Sequence, residues 1–82
     1  MTGTAPVLKN AVYVRIGGVG PAHVVEDGGR LTLCANFNGR DARAKTVSPD
    51  DVLLSQVCGH CAEHRMDILE VQGKIKNGWH SS

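Results

Sequence analysis

The sequence predicts a small α+β domain, in which a β-hairpin or short antiparallel sheet and one or two short helices gather around one cysteine- and histidine-rich point. Three observations carry that reading. The first is size. A chain of 82 residues makes one domain, and a domain so small buries only a modest fraction of its surface. The second is composition. Tyr13, Phe37 and Trp79 are the only aromatics, so the core falls to Val, Leu, Ile and Ala. Ten glycines add backbone entropy that folding must remove. The third is the run Val57-Cys58-Gly59-His60-Cys61, with Cys34 and His23 upstream.

Two cysteines separated by two residues form a tight turn that aims both thiolates at one metal ion. That pair is half of a tetrahedral site. His23 and Cys34 supply the other half, giving the spacing His-x10-Cys-x23-Cys-x2-Cys. Cys3His is a common structural zinc shell. Bound zinc contributes folding free energy outright, on the order of 10 kcal/mol in finger peptides. The expected cofactor is therefore one structural Zn2+ per chain. An odd cysteine count argues against a closed disulfide framework.

The elements follow in order. Residues 1–10 read as a flexible lead-in. Ala11-Val12-Tyr13-Val14-Arg15-Ile16 reads as a strand rich in β-branched residues, with Val12, Val14 and Ile16 on one face. Gly17-Gly18-Val19-Gly20-Pro21 breaks it. This stretch lacks the Lys-Ser/Thr of a phosphate loop and precedes a strand, so it reads as turn chemistry. Residues 22–27 and 30–34 then flank Gly28-Gly29 as a hairpin. A two-residue type I′ turn at Gly-Gly sets Asp27 against Arg30, Val25 against Thr32 and His23 against Cys34. Opposed residues share a face with Cβ atoms about 5 Å apart. The turn register thus places two candidate ligands side by side.

Residues 36–45 are polar and read as a loop. Ser48-Pro49-Asp50-Asp51 marks a helix start, with a capping serine, proline at the first helical position and two acids that complement the dipole. The short helix ends near Gln56 and the metal turn follows at 58–61. Residues 62–72 read as a second helix that Gly73 closes. The piece from Ile68 to Lys76 also fits a terminal strand. In all, 11–76 is expected to be a single zinc-binding domain and 77–82 a tail.

His64 is the alternative fourth ligand, through Cys58-x2-Cys61-x2-His64. His60 lies inside the turn and His80 in the tail, and both read as surface residues. Catalysis is not expected. A catalytic zinc keeps an open position beside an acid or base, and Glu63 follows Cys61 as in zinc deaminases. But no His-x-Glu stands upstream, and Val57 replaces the proline of that signature. A thioredoxin-type redox pair needs a βαβ context that is absent here.

At this point the residues resemble a family. His23 and Gly29-Arg30-Leu31-Thr32-Leu33-Cys34, followed by Val57-Cys58-Gly59-His60-Cys61, are similar to small uncharacterised zinc-finger proteins of actinobacteria and their phages. The likeness covers residues 22–62 and implies His23, Cys34, Cys58 and Cys61 as ligands. It departs after Cys34, where those proteins continue with Gly-Arg or Gly-Lys and this chain has Ala35-Asn36. It implies no activity. A phage origin implies an accessory protein that acts on a host component in the host cytoplasm.

Charge narrows the partner. The net charge of +1 does not advertise a nucleic-acid binder. The expected function is a non-catalytic, zinc-stabilised module for protein–protein interaction, with Phe37, Leu53 and Trp79 as candidate contacts. The alternative is a nucleic-acid-binding finger that uses Arg40, Arg43 and Lys45, with Lys74 and Lys76. The scarcity of stacking aromatics speaks against it. The N-terminus lacks a signal-peptide pattern and no apolar run reaches membrane-spanning length. A reducing cytoplasm is expected, where such cysteines bind metal.

Overall fold

The computed structural model describes residues 3–35 and 42–80, with side chains described up to residue 73. A three-stranded antiparallel sheet forms one side, in the order β2-β1-β3. β1 (Ala11–Ile16), β2 (His23–Glu26) and β3 (Ala44–Val47) are followed by two 3-10 turns and two helices, α1 (Gly59–Glu63) and α2 (Met66–His80). This is the small α+β architecture that the sequence predicts. No described helix is long and apolar enough to cross a membrane.

β1 occupies the expected residues, and its alternation decides which face packs. Ala11 and Tyr13 join the main core, where Tyr13 is 1% exposed, whereas Val12 is 47% exposed. Tyr13 thus leads the inward face. Val14 is buried as well, outside that cluster. β1 is the central strand and pairs with β2 from Ala11↔Glu26 to Val14↔His23. It pairs with β3 from Tyr13↔Val47 to Ile16↔Ala44.

The hairpin differs from the expected one. β2 takes its continuous ladder from β1, and residues 30–34 form no strand. The turn lies one residue earlier. Gly29 N–H donates to Glu26 C=O at 2.8 Å, so Asp27 and Gly28 are its central residues. Gly28 has φ 78°, the positive value that the third position of a type II turn requires. One contact of the expected register survives. Leu33 N–H donates to Val24 C=O at 2.8 Å, so the chain returns alongside β2 at its metal end.

Three further corrections concern local structure. β3 lies where a loop was expected to run to Lys45. Its residues Lys45 and Thr46 are both exposed, so no buried-exposed alternation betrays it. Ser48 does cap, accepting the Asp50 N–H at 3.3 Å, but the helix it opens is short. Two 3-10 turns, Pro49–Asp51 and Leu54–Gln56, flank an extended Val52-Leu53. The stretch from residue 68 onward is helix, and α2 runs through Gly73 to His80.

The lead-in is also packed from residue 3 onward. Leu54 N–H donates to Gly3 C=O at 2.9 Å and Ala5 N–H to Val52 C=O at 2.7 Å. Ala5 and Leu8 are buried. They join Tyr13, Val24, Val52, Leu54 and Ile68 in one cluster that reaches Cys58 and Cys61. The candidate ligands therefore sit at the edge of the hydrophobic core.

Candidate metal centre

Three separate segments bring four ligands together. His23 opens β2. Cys34 lies in the turn Thr32–Ala35, closed by Ala35 N–H donating to Thr32 C=O at 2.8 Å. Cys58 and Cys61 come from the start of α1. A short parallel bridge sets the last segment beside the first. Ala22 N–H donates to Gln56 C=O at 2.8 Å, and Cys58 N–H donates to Ala22 C=O at 2.8 Å. Ala62 N–H then donates to Cys58 C=O at 2.9 Å, and the first helical turn carries Cys61 back toward the same point.

The ligand atoms of His23, Cys34, Cys58 and Cys61 all lie within 4.8 Å of one another. Cys34 Sγ is 3.5 Å from His23 Nδ1, and Cys61 Sγ is 3.8 Å from it. A tetrahedral shell with bonds of about 2.3 Å to sulfur and about 2.0 Å to nitrogen has edges of about 3.5 to 3.8 Å. Both measured edges run from nitrogen to sulfur; one has the ideal length of about 3.5 Å and the other is slightly longer, so the four residues are close enough to hold a metal ion. All three cysteines are free thiols. The facing atom of the imidazole is Nδ1.

The surroundings favour ligation. His23 is 5% exposed, and burial lowers its pKa, which keeps the imidazole neutral as a ligand must be. Burial pushes the Cys61 thiol up to about 12, while backbone N–H groups of Val24 and Cys34 pull it the other way. Those amides aim at the sulfur and favour its thiolate. A bound cation would complete that shift, because a coordinating thiol is deprotonated. Thr32 is buried, and its hydroxyl lies 3.1 Å from Cys34 Sγ. It is a further residue of the site that sequence reasoning passed over. It opens the turn that carries Cys34, which is what brings its hydroxyl to the sulfur.

His64 stands outside the group. It caps α1, and its side chain is exposed. His60 is also exposed and pairs with Glu63 at 3.8 Å; neither joins the cluster, which contains no carboxylate. Gly59 lies between the two cysteines of the turn. It sits in α1 without a positive φ, and a Cβ there would meet nothing within 4 Å. The turn does not demand glycine.

The candidate contact residues are spread over the surface. Leu53 is exposed, and Arg43 and Lys45 are exposed at and before β3. Phe37 and Arg40 lie outside the described residues, as do the side chains of Lys74, Lys76 and Trp79. No protein-family model, curated protein or solved structure matches the chain. What it binds must be argued from its own geometry.

Proposed function

We propose that the chain is a non-catalytic, zinc-stapled module that presents a surface to a protein partner. One observation carries the reading: four ligand atoms from three segments lie within 4.8 Å of one another and are all supplied by protein. Thiolate-rich tetrahedral sites favour zinc. A complete Cys3His shell leaves no position for substrate or activated water, which supports a structural role over a catalytic one. The ion joins β2, the Thr32–Ala35 turn and α1. The exposed apolar side chains Val7, Val19, Leu53 and Met66 lie on the scaffold that it holds, and apolar side chains of this kind supply the contact area of an interface. The resemblance to actinobacterial and phage zinc fingers makes a phage accessory protein acting on a host component the setting we favour.

Affinity capture from native cytoplasm tests the reading. The zinc-loaded chain is expected to retain a defined protein partner, and both chelation and Leu53→Asp should weaken that retention. Turnover of a small-molecule substrate by the zinc-loaded chain would contradict it.

A further inference from the structure

The cleft beside Cys58 holds a guanidinium that the metal site does not use. Arg15 follows Tyr13 by two residues on β1 and so shares its inward face. Its Nη2 donates to Gln56 Oε1 at 3.0 Å. That acceptor is neutral and also receives the Leu53 N–H at 3.2 Å. Arg15 Nε is buried and has no hydrogen-bond partner among the described residues. Native proteins leave few buried donors unpaired, because each carries its desolvation cost. Among the described residues no carboxylate lies within ion-pair distance of Arg15.

Two more observations point the same way. Arg15 opens onto a cleft of about 540 Å³, walled by Pro21, Gln56, Val57, Cys58 and Gly59. Lys45 stands directly opposite Arg15 across β1 and β3. Like charges directly opposed weaken a sheet, so an anion bound at this point would stabilise the pairing. The Lys45 side chain lies against the glycine loop that borders the cleft: a Cβ placed on Gly18 would be 3.7 Å from its Cδ and 3.9 Å from its Nζ.

The geometry points to a carboxylate-binding site: the Arg15 cleft receives an aspartate or glutamate side chain of the partner protein. The terminal nitrogens of the guanidinium, whose Nη2 contact to Gln56 is exposed, take the carboxylate, and Lys45 adds attraction from the rim. A planar carboxylate matches such a fork in two parallel hydrogen bonds. Phosphate matches less well here. Cys58 walls the cleft, and a zinc ion with three thiolates and an imidazole sums to about −1, which repels a dianion more than a monoanion. The proposal deepens the interaction-module reading and rests on it.

Nuclear magnetic resonance on the zinc-loaded chain tests it without a known partner. The probe is the capped peptide acetyl-Gly-Glu-Gly-amide, with its glutamine analogue, inorganic phosphate and a short DNA duplex as comparators. The glutamate peptide is expected to shift the Arg15 Nε–H signal and the Gly20 and Gly59 amides saturably. The glutamine analogue should bind at least about tenfold more weakly, since a fork pair to a charged oxygen is roughly twice as strong as a neutral one. Arg15→Gln should abolish the saturable shift, and Arg15→Lys should retain part of it. Wild-type titrations decide the matter even if a variant fails to fold. Equal shifts from both peptides, no saturable shift, or a response to phosphate or DNA alone would overturn the carboxylate site. Zinc stoichiometry and partner capture are separate measurements, so the module reading stands or falls apart from this one.

Discussion

Ala35 carries a cost that the chain could shed. Its φ is 60°, a left-handed conformation that a side chain opposes by roughly 1–2 kcal/mol. It follows Cys34 and closes the Thr32–Ala35 turn. Part of the gain from glycine is offset by its freer unfolded chain. Ala35→Gly is expected to stabilise the zinc-loaded fold by about 0.5–1 kcal/mol, measured by chemical denaturation. Thr32→Val should keep the ligand set and lower zinc affinity by about tenfold, the usual cost of losing a group that bonds to a ligand. Competition with a chromophoric chelator reads that change. The buried imidazole also gives a pH dependence. Because burial lowers the folded His23 pKa, the unfolded chain binds a proton first as the pH falls. The contribution of His23 to folding stability is therefore lost as the pH falls below about 6.5, the unperturbed histidine value, through the window down to the folded value. In the loaded chain the same window, together with protonation of the thiolates, governs zinc release.

Elements hold these residues in register, and Arg65 shows how. It stands between α1 and α2. Its guanidinium donates to Asp67 Oδ1 at 3.1 Å and Oδ2 at 2.9 Å, to Glu26 Oε1 at 3.4 Å and to the Lys9 carbonyl at 3.4 Å. One side chain thus ties the helical pair to β2 and to the N-terminal segment. Its neighbour Asp67 is held below the usual carboxylate range by that guanidinium. Arg65→Ala is expected to destabilise the fold by about 0.5–1 kcal/mol, because the Glu26 and Asp67 carboxylates it leaves are about half exposed and solvent screens the pairs, measured by thermal melting. How far the sequence could be read follows from which forces act locally. The Ala11–Ile16 strand and the capping Ser48 were legible because β-propensity and capping are local. The four ligands were legible because ligation demands particular residue types. β3 was not, because Lys45 and Thr46 face solvent and only pairing with β1 makes them a strand. Nor was the packing of Ala5 and Leu8, which depends on hydrogen bonds to Val52 and Leu54 far along the chain. Gly28-Gly29 was read with the right function and the wrong turn.

At the scale of the whole molecule, charge separates the two partner classes. Arg40, Arg43 and Lys45 together offer only about three counterion displacements, so any nucleic-acid binding should show a log–log salt slope near about −3 and vanish near about 150 mM salt. Replacing all three by alanine should leave the fold intact, checked by circular dichroism. Tight, sequence-dependent binding at that salt, read by fluorescence anisotropy, would favour the nucleic-acid alternative. The central claim is that one zinc ion organises the fold through His23, Cys34, Cys58 and Cys61. Four ligands from three segments leave the small core dependent on the ion, since metal binding free energy here is folding free energy. Native mass spectrometry on the wild-type chain and on His23→Ala and His64→Ala, paired with circular dichroism before and after chelation, tests this most directly. The account predicts one zinc on the wild type and on His64→Ala, loss of zinc from His23→Ala, and loss of structure on chelation. A metal-free chain that is equally folded, or zinc retained by His23→Ala and lost from His64→Ala, would contradict it.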